Sequence, residues 1–414
     1  MPQTFLRATR IVTGKDREVV RNGVVEIVNG RVGRVGAGAD FKAPDGAEVM
    51  DLGDYTILPG LIDSHIHVFH EPQLLRLSEG AAALWGANYV QSALRAGFTT
   101  IRDLGAQTGA THGLKRGLNE GYTVGPRYLT SGRAICITGG HGWANLSQEA
   151  DGTDEVRKLA RQQLKLGADV IKLMATGGAG TRSELPTQVQ LSVEEMRAAV
   201  DVAHAAGRPV AVHALATQGI INAIEAGADS VEHGVFLDDR GAELLVKRNV
   251  ALCPTLSVYP RIVERGPAGG EEQFVIDRSV ALRKPHLDSI RRAVAAGVRI
   301  VFGTDSTTLY NPLGDISTEV ELMLEAGMTP FDVLISATRV AADVCGVADE
   351  TGTLETGKVA DVCVVAGDPT TDAKALTSTR RVYRAGVLVY EKGAGYRNLS
   401  LTPLPVLPAD RALS

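Results

Sequence analysis

From about residue 60 to residue 350 the sequence repeats one phrase: an amphipathic helical stretch, a turn that usually carries glycine, and a short apolar strand. Ala87–Ala96 passes through Gly97 into Phe98–Asp103, and Val156–Leu166 passes through Gly167 into Asp169–Lys172. Val193–Ala206 then leads to Pro209–His213, Gln218–Ala226 to Ala228–His233, and Arg291–Ala296 to Val298–Asp305. Strands that are apolar on both faces belong in parallel sheets, and a parallel neighbour is reached through a crossover helix. About eight such units over roughly 290 residues predict a closed (β/α)8 barrel rather than an open sheet.

The 414 residues exceed what that barrel needs, and both chain ends read as β. Val24–Val28, Asn29-Gly30 and Arg31–Val35 form a hairpin signal with an Asn-Gly turn. Residues 361–365, 381–384 and 387–390 are further strand candidates. The expected division is a β-sandwich composed of residues 1–58 and 355–414 around a barrel of residues 59–354, with an extended tail from Thr402. A net charge of −5 and a pI near 6.0 offer no basic stripe for a nucleic acid. No apolar run approaches the ~18 residues of a membrane span, and the first residues lack a secretory h-region, so a cytoplasmic protein is expected. Cys136, Cys253, Cys345 and Cys363 show no CxxC spacing and sit in apolar surroundings, which reads as buried free thiols.

The chemistry-bearing residues fall at the C-terminal ends of predicted strands, where barrel enzymes place their catalytic groups. His65 and His67 follow the apolar stretch Thr56–Ile62, and residues i and i+2 of a strand share a face. Lys172, His213, His233 and Asp305 each end another strand. Any one of these is weak alone. Together, four imidazoles, a carboxylate and a lysine aimed at one space suit one or two borderline divalent ions, zinc above all.

The ordered segments GLIDSHIH, DVIKLMATGG, AVHALA, SVEHGV and FGTDS, closed by GTLETGKVADVCVV, resemble the amidohydrolase superfamily over nearly the whole chain. TSGRAICITGGHG, with IKLMATGG and VEHG, is similar to the subgroup of Xaa-Pro and Xaa-Arg/Lys dipeptidases, prolidases and ochratoxin-type amidohydrolases. The resemblance implies two metal ions, with His65, His67 and Asp305 on the more buried α ion and His213 and His233 on the β ion. It implies that Lys172 is N6-carboxylated and bridges both ions together with a hydroxide. It further implies that the hydroxide attacks an amide carbonyl hydrogen-bonded by His141, and that Asp305 carries the proton to the leaving nitrogen.

For the substrate, the resemblance implies a small-molecule amide, a dipeptide or an N-acyl amino acid, whose carboxylate Arg182 is a candidate to hold. Relatives carry tyrosine two residues after the fifth-strand histidine, whereas this chain has Leu215, with Tyr259 and Tyr310 as candidate replacements for the missing hydroxyl. The leucine leaves room for an aryl amide, a carbamate or an ester. An imidazolonepropionase-like hydrolase with one ion and no use for Lys172 is the alternative, and a scaffold without catalysis is disfavoured by the complete ligand set. By analogy with relatives, a homo-oligomer is expected. The segments 140–150, 177–190 and 255–285 are expected to set specificity.

Overall fold

The computed structural model describes residues 3–71, 73–306 and 310–396. The parallel strands form as the repeat predicts. Leu61–Ile66, Phe98–Asp103 and Arg127–Thr130 are the first three barrel strands, paired in that order. The third strand breaks at Gly132, where φ is +65°, and resumes as Ala134–Cys136. That second half pairs with the fourth strand, Ile171–Met174, through Ile135 and Leu173. Val210–Ala214, Ser230–His233 and Ala251–Cys253 follow as strands five to seven.

Residues 300–306 close the ring with bridges instead of a full ladder: Leu252 pairs with Ile300, and Ser306 pairs with Ile66. Asp305 N–H donates to His65 C=O at 2.7 Å and Ser64 N–H to Phe302 C=O at 3.0 Å. Gly303 permits this closeness, since a Cβ there would stand 2.3 Å from Cys253 Sγ and 2.9 Å from His65 Cβ. The closure of the barrel is therefore also what brings Asp305 beside His65.

Helices Thr153–Lys165, Val193–Ala205, Thr217–Ala226 and Asp239–Arg248 lie where periodicity puts them. The Val193–Ala205 helix starts with a reciprocal capping box between Ser192 and Glu195, which satisfies two otherwise orphaned N–H groups. One core cluster joins the helices to strand residues such as Ile66, Ile101, Leu173, Val212 and Leu252. Three expectations change. The predicted strand Thr56–Ile62 is two strands, Tyr55–Pro59 and Leu61–Ile66, because Gly60 N–H turns away to Asp361 C=O. The helix expected at 87–96 is two, Glu79–Tyr89 and Gln91–Arg95. The stretch 291–296 is only the end of a long helix, Gln273–Ala295.

The chain ends meet in one nine-stranded sheet that forms the small β-sandwich beside the barrel. Tyr55–Pro59 from the N-terminal part pairs antiparallel with Val362–Ala366 from the C-terminal part, so each end completes the other. Leu6, Ile11, Ile57, Val362, Val364 and Tyr383 fill the shared core. Asn29 and Gly30 take φ of +50° and +77°, as a type I′ hairpin turn requires. All four cysteines are free and buried. Among the described residues no helix is long and apolar enough to cross a membrane. The tail from Thr402 lies outside the described residues.

Candidate active site

His65, His67, Lys172, His213, His233 and Asp305 line one cavity of about 160 Å³ at the C-terminal ends of the barrel strands. On the first-strand side the proton positions follow from the partners. His65 Nδ1 lies 2.7 Å from a Glu232 carboxylate oxygen, and His67 Nδ1 lies 2.9 Å from Gly105 C=O. Both partners only accept, so each ring donates from Nδ1 and turns an Nε2 lone pair inward. These Nε2 atoms are 3.3 Å apart, and Asp305 Oδ1 lies 3.5 Å from one and 3.4 Å from the other. Three acceptors facing one another with no proton between them form a cradle for a cation.

Glu232 reaches His65 through a local backbone irregularity. Strand alternation would send Glu232 and His233 to opposite faces. His233 instead has φ of +72°, so the chain turns and both side chains point inward. Asp305 has φ of +51°, and strain at these two neighbouring positions is typical of a functional site. Arg102, fully buried, donates from Nε to Ser64 C=O at 2.6 Å and pairs with Glu232 at 3.4 Å. Burial works against the Glu232 charge, but the hydrogen bond and field of His65, then Arg102, outweigh it and hold the carboxyl well below its usual range.

The opposite side is less converged. His213 Nε2 lies 3.2 Å from Gly177 C=O and so donates to it, which leaves Nδ1 with the lone pair. His233 Nδ1 lies 2.7 Å from Thr255 Oγ1. The imidazoles form an arc, with centroid separations of 5.2 Å for His67–His65, 5.1 Å for His65–His233 and 4.7 Å for His233–His213. Burial pushes His65 down to about 4 and holds His213 and His233 well below the ordinary histidine value, so the rings are neutral donors of lone pairs. Lys172 is 1% exposed, and its Nζ has no hydrogen-bond partner among the described residues. Burial lowers its ammonium to about 8. An amine that sheds its proton so easily fits conversion to a carbamate, which would offer two oxygens to cations in the cavity.

A second group of metal-compatible atoms, on His65, Glu232 and Cys253, does not compete. It would use the His65 nitrogen already donating to Glu232, and burial holds the Cys253 thiol well above its usual value, hence protonated.

The roof comes from loops. His141 lines the cavity, stacks on His213 at 4.2 Å, and lies on the bare backbone of Gly178, where a Cβ would come within 2.1 Å of the ring. Its Nδ1–H donates to Glu184 at 2.7 Å. Burial would raise the Glu184 carboxyl, but the hydrogen bond and charge of His141 outweigh it and lower it. Tyr259 also lines the cavity, and burial raises its phenol. Leu215 is fully buried behind the wall, packed with Tyr259, Ala179 and Leu282. Arg182 does not line the cavity: its exposed side chain pairs with Glu272 at 2.5 Å and lies over the Phe274 ring. Arg182 takes that position because the Arg278 guanidinium binds the Ala179 and Thr181 carbonyls and turns the loop outward. Tyr310 packs against Gly269 and is absent from the lining. Sequence reasoning missed Glu232, Arg102, Glu184, His70 and Glu271. Only Glu232 left a trace, as the acid preceding His233, and even there alternation points it the wrong way.

Residues 56–389 match the amidohydrolase family. The ochratoxinase of Aspergillus niger is 31% identical over 95% of this chain and 88% of its own length. A Xaa-Pro dipeptidase solved with bound methionine superposes with a TM-score of 0.86 at 29% identity, covering 94% of this chain and 100% of that one. A prolidase complexed with N-methylphosphonate-L-proline gives 0.87 at 27% identity, again over 94% of this chain and 100% of the other. With the family matched across most of its length and a barrel mouth of this composition, the chain belongs to the amidohydrolase family, and it is a hydrolase acting on C–N bonds.

Proposed function

We propose that the protein hydrolyses the amide bond of an N-acyl amino acid or dipeptide, with two divalent ions, most simply zinc, held by His65, His67 and Asp305 on one side and His213 and His233 on the other. A carboxylated Lys172 would join the two. The observation that carries this reading is the unpartnered Lys172 Nζ within electrostatic reach of His65, His213, His233 and Asp305. When bound, the ions supply Lewis acidity and a water acidic enough to ionise near neutral pH.

The chain's own residues do the rest. Asp305 accepts the proton of the attacking water and returns it to the leaving nitrogen. Its carboxyl is held low despite burial, so it is ionised and has an oxygen open to the proton. His141 hydrogen-bonds the carbonyl oxygen from Nε2. Its Nδ1 contact with Glu184 holds the ring in place for that bond. Leu146, Met174, Ala179, Val258, Ile262 and Val275 give the cavity an apolar wall, which favours an apolar acyl or side-chain group.

A one-ion reading takes its support from the first-strand side, where among the described residues His65, His67 and Asp305 already converge in a metal-compatible group. The test that separates them uses protein loaded with zinc and bicarbonate and a panel of dipeptides and N-acyl amino acids. Two ions per chain and release of free amino acid are expected. Full activity at one ion per chain, or no cleavage of any amide on the panel, would overturn the two-ion hydrolase.

A further inference from the structure

One imidazole at the site has no task in that chemistry. His70 lies three residues beyond His67, lines the same cavity, and has its ring centroid 6.1 Å from that of His67. Asn145, from the loop that also carries His141, reaches it with Nδ2 3.3 Å from His70 Nδ1 and 3.2 Å from His70 C=O. A carbonyl oxygen only accepts, so the part of Asn145 that faces it is the NH₂ group. The same NH₂ therefore donates to Nδ1, which must present a lone pair. A ring that accepts at Nδ1 is neutral and carries its proton on Nε2. Among the described residues Nε2 has no hydrogen-bond partner. Asn145 thus fixes His70 as an N–H donor offered to the cavity.

The cavity needs such a donor. Among the described residues no arginine lines it, Arg182 is paired with Glu272, and Lys172 belongs to the bridge. His70, Asp305 and His141 line the same cavity. Asp305 serves the leaving nitrogen, and the substrate oxygens nearest that nitrogen on its far side are those of the amino-acid carboxylate. Resting on the amide-hydrolase reading above, we propose that His70 is a specificity-determining residue whose Nε2–H binds the carboxylate next to the scissile nitrogen, so that a free acid is preferred over its carboxamide.

The test measures kcat and KM for N-benzoyl-L-phenylalanine and for its primary carboxamide, with the wild type and the variants His70→Ala, His70→Asn and His70→Gln, all zinc-loaded and checked for equal metal content. The glutamine amide reaches the position of Nε2, whereas the asparagine amide reaches only that of Nδ1. The wild type is expected to prefer the acid. Alanine and asparagine should lower kcat/KM for the acid about 10–100-fold more than for the carboxamide, chiefly through KM, and glutamine should recover most of the loss. An equal loss on both substrates, or glutamine no better than asparagine, would overturn the role of His70 while leaving the hydrolase reading intact. Cleavage of neither substrate by the wild type, together with no activity across the amide panel, would remove the hydrolase reading and this inference with it.

Discussion

The two halves of the candidate metal site are built differently. Around His65, His67 and Asp305, each group is oriented by a partner that fixes its tautomer or position: Glu232 with Arg102 behind it, Gly105 C=O, and the close backbone approach at Gly303. Three lone pairs already converge there. Around His213 and His233 two imidazoles are held by Gly177 C=O and Thr255, and the proposed third ligand is the Lys172 amine, which has no hydrogen-bond partner among the described residues. The first half is assembled by folding alone, whereas on the proposed reading the second would be complete only once Lys172 gained carbamate oxygens. The comparison teaches that metal affinity and dependence on CO₂ should be unequally distributed across one cavity.

The sharpest way to break the comparison is Lys172→Ala. Hydrolysis should fall by a factor on the order of 10⁴ or more, because an ionised water near neutral pH is lost. Metal content should drop from two ions to one per chain, and short carboxylic acids should restore part of the activity. A variant that keeps two ions and full turnover would erase the distinction between the halves.

Asp305→Asn tests the first half. It should slow hydrolysis on the order of 10³-fold, within the range for general acid–base catalysis, while thermal unfolding changes little. Near-normal turnover would remove Asp305 from proton transfer.

Glu232→Gln is subtler, since it keeps the shape but weakens the acceptor for His65 Nδ1–H. Metal affinity should fall about 10–100-fold at the first-strand site, as for other groups that orient a ligand from behind. A competitive chelator titration that shows the loss at the other site instead would reverse the assignment of the halves.

The smallest effect is kinetic. The carbamate forms from the neutral amine, and the Lys172 ammonium is lowered from 10.5 to about 8 by burial. The lowered value means that the neutral amine is scarce below pH 8 and dominant above it. With dissolved CO₂ held at one concentration across the pH series, reactivation of metal-free protein by zinc should therefore quicken about tenfold per pH unit up to about 8 and then level off. A rate that keeps climbing past pH 9 would mean an ordinary, solvated lysine.

The barrel was readable because its causes are local. Helical period, turn glycine and apolar strand recur in the order of the chain, and His65, His213 and His233 stand at the last or next-to-last position of their strands, whereas Lys172, expected to end its strand, is the second residue of Ile171–Met174, and Asp305 lies beyond any regular strand. Strand boundaries were less legible at Gly60, where the chain leaves one sheet for another through a bond to Asp361, some 300 residues away. The roof was hardly legible. Arg182 has the right charge and lies in the right loop, but Arg278 on a distant helix binds that loop's carbonyls and turns it outward. Leu215 lies two residues after the candidate ligand His213 and yet packs behind the wall.

By itself, the sequence determined the barrel, the composite β-sandwich and which residue types gather at one barrel mouth, because periodicity and strand direction are properties of neighbouring residues. Only the tertiary structure decided which nitrogen of each histidine carries a proton. That choice belongs to Glu232 for His65, to Gly105 for His67, to Gly177 for His213 and to Asn145 for His70, all of which are distant in the chain. A side chain's chemistry is encoded in its own identity, but its protonation and aim are set by whatever the fold places against it.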